Sequence, residues 1–108
     1  MKNIRKILFV CTGNSCRSIM AEAYLDKLAA EQGAAIEVES AGTLGMDGSS
    51  PSREVITLLG KEGIDPAGYM SKSLTKEMVD WADIILVMAP EHKLAVLGLS
   101  PGSENKVR

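Results

Sequence analysis

Apolar and polar positions along this chain switch between two periods, and the switches mark its elements. Ile4 to Val10 is a short run rich in Ile, Val and Phe that leads into Thr12-Gly13-Asn14-Ser15, the pattern of a buried strand followed by a turn. The period then lengthens. Ala21, Tyr24, Leu25 and Leu28 fall at i, i+3, i+4 and i+7, which predicts a helix from about Ser18 to Gln32 with those residues on its inner face and Gly33 as its stop. Alternation returns in Ile36-Glu37-Val38-Glu39-Ser40, a second strand expected near the sheet edge. Gly42 to Ser50 reads as a flexible loop.

Ser50-Pro51 places a capping residue before a proline at the first helical position, and Val55, Leu58 and Leu59 supply the apolar stripe of a second helix that Gly60 and Gly63 weaken or end. Thr75 caps a third short helix with Leu74, Met78, Trp81 and Ala82 facing inward. Ile84-Ile85-Leu86-Val87-Met88 is too continuous for a half-exposed strand and is the expected central strand. Pro90 opens a last short helix through Leu94 and Leu97, which Gly98, Pro101 and Gly102 end. Strands alternating with helices in this order define the α/β class with right-handed crossovers and a parallel sheet. No repeat or linker divides residues 1–108, so a single domain is expected.

Composition narrows the function. The 12 Lys and Arg stand against 14 Asp and Glu, a net charge of −2 with no basic cluster, which argues against nucleic acid and an anionic membrane surface as partners. The basic start before Ile7-Leu8-Phe9-Val10 superficially resembles a signal peptide, but the apolar run is short and no small-residue cleavage site follows. Nor does any apolar run approach the roughly 20 residues that span a bilayer. Cys11 and Cys16 give no disulfide framework and suit a reducing cytoplasm. With His92 they make a poor zinc site, so neither a metal nor another cofactor is expected.

The candidate chemistry lies in Cys11-Thr12-Gly13-Asn14-Ser15-Cys16-Arg17-Ser18, between a buried strand and a helix, at the edge where open α/β sheets place ligands. If this loop curls around an anion, its backbone N–H groups and the helix N-terminus favour a phosphate-sized dianion. Arg17 completes the cradle with a planar fork that matches two phosphoryl oxygens. The same electropositive setting favours the thiolate at Cys11, a nucleophile aimed at the cradled phosphorus. Ser18 is placed to donate a hydrogen bond to that thiolate, and Asn14 to brace the loop through neighbouring backbone.

The loop resembles that of the low-molecular-weight protein-tyrosine phosphatases, Cys-x-Gly-Asn-x-Cys-Arg-Ser, and the chain is most similar to the bacterial branch that includes protein-arginine phosphatases. Met20-Ala21-Glu22-Ala23, Ser40-Ala41-Gly42-Thr43, Gly63-Ile64-Asp65, Ser73-Leu74-Thr75 and Ala82-Asp83-Ile84-Ile85-Leu86-Val87-Met88 extend the likeness over essentially the whole chain. The resemblance implies a flavodoxin-like three-layer fold with strand order 2-1-3-4. It implies Cys11 as the nucleophile that becomes phosphocysteine, and Arg17 as the phosphate clamp. Thr12, Gly13, Asn14, Ser15 and Cys16 would line the anion together with Ser18, which steadies the thiolate. Asn14 and Ser40 would hold the strained loop, and Cys16 would trap an oxidised Cys11 as a reversible disulfide. Implied partners are a phosphorylated protein or small phosphate ester, with inorganic phosphate and other oxyanions as inhibitors.

Ser15 stands where the tyrosine phosphatases of eukaryotes carry a bulky aliphatic, which weakly favours phosphoarginine or other non-tyrosine substrates, and Thr43 to Ser49 offers no ring to stack on phosphotyrosine. The family continues through a fourth strand and a closing helix, with an Asp-Pro acid between. These are expected to be absent from the 108 residues, baring an edge of the third strand to self-association and slowing turnover. Asp65-Pro66 reads as a turn, Asp26 and Asp80 as helix surface, Asp47 as mobile loop, Asp83 as strand entry and His92 as a surface or capping residue. The alternatives are a non-catalytic phosphate-binding domain and a thioredoxin-coupled arsenate reductase, which lacks its two further cysteines here.

Overall fold

The computed structural model describes residues 4–13, 17–44 and 47–108. The strands are β1 (Lys6–Cys11), β2 (Glu37–Gly42) and β3 (Ile84–Val87), and the helices are α1 (Arg17–Gln32), α2 (Arg53–Lys61), α3 (Lys76–Trp81) and α4 (Pro90–Leu99). The sheet is wholly parallel in the order β2-β1-β3. These are the first three positions of the expected 2-1-3-4 order, and they put β1, not the more apolar Ile84 run, at the centre. Local hydrophobicity reports burial, whereas strand order follows from which crossover packs where. Beyond β3, Val107 bridges to Ile85, Arg108 N–H donates to the Ile85 carbonyl at 2.8 Å and Val87 N–H donates to the Arg108 carbonyl at 3.2 Å, so part of that edge is paired.

Register separates the two faces of the sheet. Val10 lies between Ala41 and Val87, and Leu8 pairs with Ile85. Leu8, Val10, Ala41 and Ile85 form one apolar cluster with Val79 of α3, Ala82 and Val96 of α4. Each such large side chain, once fully buried, contributes about 1.5–3 kcal/mol. On the opposite face α1 packs over β1 and β2, and Ile19, Ala23, Val55 and Leu59 join α1 to α2.

Helix ends follow from local chemistry. Gly63, at φ 73°, lets Ile64 N–H reach the Leu59 carbonyl at 2.9 Å while its own N–H reaches Gly60, closing α2 in a left-handed turn that glycine adopts without strain. The Thr75 hydroxyl accepts from Met78 N–H at 3.2 Å and starts α3. At α2, Ser52 is the cap in place of Ser50, accepting from Val55 N–H at 3.4 Å, and Pro51 is buried before the helix. Val55 and Leu59 form its inner stripe, with Leu58 exposed.

Three further expectations are corrected. The inner face of α1 is Ser18, Ile19, Glu22, Ala23 and Ala29, with Leu28 53% exposed, because the polar members of that stripe have partners across the interface and the small ones admit the sheet closely. The described part of the 42–50 segment is tied down. Gly48 N–H donates to the Ser71 carbonyl at 2.8 Å, and the Asp47 carboxylate accepts from Ser73 N–H at 2.7 Å and from its hydroxyl at 2.9 Å. His92, placed at the surface by its position on a short helix, is buried at 1% exposure in the first turn of α4.

Candidate active site

Cys11 ends the central strand, where both neighbours contribute. Met88 N–H donates to the Val10 carbonyl at 3.0 Å, Thr43 N–H to the Cys11 carbonyl at 3.0 Å and Leu44 N–H to the Thr12 carbonyl at 3.0 Å. The backbone entering the loop is thus held from β2 and β3 together. The thiol itself is buried, with Sγ 2.8 Å from the Ser18 hydroxyl oxygen on the first turn of α1. Arg17 is exposed at the first position of α1, and no acidic side chain in that turn competes for the helix dipole. Asn14, Ser15 and Cys16, expected to line and brace the anion site, lie outside the described residues. Thr12 is exposed, and Gly13 is half-buried beside it.

Ser40, expected to support the loop, lies fully buried on β2 and donates its hydroxyl proton to the Glu22 carboxylate at 2.5 Å. Burial pushes that carboxyl up to about 7, with Glu39 and Asp26 adding to the rise and the Ser40 hydrogen bond and Lys72 opposing it. Lys72 in turn pairs with Glu39. Glu22 lines a cavity of about 220 Å³ with Asp47, Tyr69, Ser71 and Lys72. Sequence reasoning missed Glu22 as a buried group. The available signal was its place four residues after Ser18, on the same face of the helix.

The aspartates have structural partners. Asp26 accepts from the Tyr69 hydroxyl at 2.9 Å, and burial raises its carboxyl above the usual range. Asp83 accepts from the N–H groups of Arg5 and Lys6 at 2.9 and 3.0 Å and so pins the start of β1. Asp80 is hydrogen-bonded to Lys76 at 2.6 Å and to the Ser100 hydroxyl at 3.0 Å. Asp65 is exposed just before the 3₁₀ turn Pro66–Gly68. Among the described residues no group of His, Cys, Asp or Glu is arranged to hold a metal, and no helix is long and apolar enough to cross a membrane.

A buried thiol at the carboxyl end of the middle strand of a parallel sheet, backed by a helix-borne hydroxyl, places this molecule among α/β proteins that present a cysteine at a strand–loop–helix turn. The model of the low molecular weight phosphotyrosine protein phosphatase family matches residues 6–108, and the chain belongs to that family. It is 41% identical over 101 residues to a protein-arginine-phosphatase of Geobacillus stearothermophilus, a match that covers 94% of this chain and 66% of that protein. The chain therefore spans just under two thirds of that relative's length. It superposes with a TM-score of 0.89 on a low molecular weight protein tyrosine phosphatase from T. tengcongensis, at 38% identity over 96% of this chain and 71% of the other. A mutant of the YwlE arginine phosphatase with a phosphorylated active-site serine superposes equally well, TM-score 0.89, at 32% identity over 95% of this chain and 67% of the other.

Proposed function

We propose that the chain carries the nucleophile of a cysteine-dependent protein phosphatase acting on phosphotyrosine or phosphoarginine. The observation that carries the reading is the 2.8 Å contact between the buried Cys11 Sγ and the Ser18 hydroxyl at the end of the central strand. With the sulfur ionised, Ser18 is the donor of that hydrogen bond, because a thiolate can only accept. Attack of Sγ on phosphorus forms a P–S bond and breaks the bond to the leaving oxygen or nitrogen, which takes up a proton from water. Water then cleaves the P–S bond, returning the thiol and inorganic phosphate. Arg17, with the amides of the loop, compensates charge on the phosphoryl oxygens throughout, so the residues themselves supply the electrostatics of the reaction. Support for a phosphorylated protein substrate comes from the relatives, which include both protein-tyrosine and protein-arginine phosphatases.

An aryl phosphate is the first substrate to test, because a phenolate leaves with little help from a proton donor and the assay then reads Cys11 and its cradle. Hydrolysis should fall by about 10⁴-fold or more in Cys11→Ser, with the melting temperature little changed. Binding of inorganic phosphate without turnover or a phosphoenzyme would instead favour a non-catalytic phosphate-binding domain. Comparison of phosphotyrosine and phosphoarginine peptides then sets the substrate, with Ser15 expected to favour the latter.

A further inference from the structure

The first turn of α4 sends one side chain to the loop. His92 is 1% exposed, and its Nε2 lies 3.0 Å from the Thr12 hydroxyl oxygen, immediately after the candidate nucleophile. Its other ring nitrogen, Nδ1, is buried without a hydrogen-bond partner among the described residues. A buried lone pair left unmatched costs less than a buried N–H left unmatched, so the proton belongs on Nε2 and Nδ1 carries the lone pair. His92 is then the donor to Thr12. That occupies an acceptor site of the hydroxyl and leaves the threonine's own proton available to a second partner.

We propose that His92 is a positioning residue for the phosphate loop. It holds Thr12 by the hydroxyl while Leu44 N–H holds the same residue by its carbonyl, so that the first peptide after Cys11 is fixed from α4 and from the segment after β2 together. The consequence is that the residue following Cys11 is set in place before the anion arrives. The proposal rests on the phosphatase reading for its purpose, but the His92–Thr12 contact and its polarity are tested independently of it.

The test combines a tautomer spectrum with phosphate binding. Long-range ¹H–¹⁵N correlation of the full chain should show His92 protonated at Nε2, and Thr12→Val, at an exposed site that leaves the core intact, should move that signal. Inorganic phosphate should bind roughly two- to tenfold more weakly to Thr12→Val and to His92→Leu, the loss of one hydrogen bond. The double variant should be no weaker than either single one, and His92→Gln, which restores a donor near the Nε2 position, should recover most of the affinity. An Nδ1-protonated ring, additive losses, or full affinity in Thr12→Val would overturn the proposal. Should His92→Leu fail to fold, the Thr12→Val arm and the spectrum decide it. A wild-type chain that binds no phosphate counts against the phosphatase reading, and the spectrum with its response to Thr12→Val still decides the His92–Thr12 link.

Discussion

The two faces of the sheet differ in how their buried groups meet the strands. Toward α3 and α4, Leu8, Val10 and Ile85 are fully buried with Val79 and Val96 in one apolar cluster, and His92 of α4 is buried as well. Toward α1, the buried groups include Cys11, Ser18, Ser40 and Glu22, joined as Cys11–Ser18 and Ser40–Glu22 pairs. Buried polar groups destabilise unless each finds a partner, so the second face is costly to build and specific in what it positions. The apolar face holds β1 still, and the polar face determines what its last residue can do.

Breaking the apolar face should cost stability and spare the chemistry. Ile85→Ala leaves a cavity beside Leu8 and Val10 and should destabilise by about 2–5 kcal/mol in denaturant unfolding, while folded protein at low temperature still accepts a phosphoryl group. A loss of phosphorylation in a fully folded Ile85→Ala chain would collapse the distinction between the faces.

Breaking the polar face should do the reverse. Ser18→Ala removes the donor to the thiolate and should slow aryl-phosphate hydrolysis by roughly 10- to 100-fold, the worth of one hydrogen bond to a charged group. The midpoint of unfolding should change by far less than in Ile85→Ala. An unchanged rate would remove Ser18 from the mechanism.

The smallest effect concerns pH. Glu22 keeps its proton in the folded chain to about 7, whereas an ordinary glutamate gives it up near 4.5, so the folded state binds more protons between those values. The stability this confers is complete below about 4.5 and is lost as pH rises through about 7, with a slope of at most about 1.4 kcal/mol per pH unit. Asp26, raised by burial, acts in the same direction, and Asp47, held down by its hydrogen bonds to Ser73, acts in the opposite one. Glu22→Gln keeps an acceptor for Ser40 and should flatten the curve across that window. A curve unchanged by the substitution would show that Glu22 does not titrate there.

This contrast also explains what was legible in the sequence. Strands and caps were readable where local chemistry decides them, as at Thr75, Gly33 and Gly63, and the strand–loop–helix around Cys11 was readable because its residue types serve one purpose. The apolar partners Val79 and Val96 escaped notice because one valine within a short helix gives little periodic signal. The inner face of α1 was misread because hydrophobicity marks Tyr24, Leu25 and Leu28, whereas that helix buries Ser18 and Glu22 against matching groups on β1 and β2. His92 was misread for the same reason, since its burial depends on Thr12, 80 positions away. Polar burial is decided by partners distant in sequence, which periodicity cannot register.

The central claim is that Cys11 is the atom source of a covalent intermediate. It is tested most directly by rapidly quenching the wild-type chain with p-nitrophenyl phosphate and mapping the modified peptide by mass spectrometry. A phosphoryl group on Cys11, absent after Cys11→Ala, is the predicted result. A phosphoryl group on another residue, or phosphate bound with none transferred, would contradict the account.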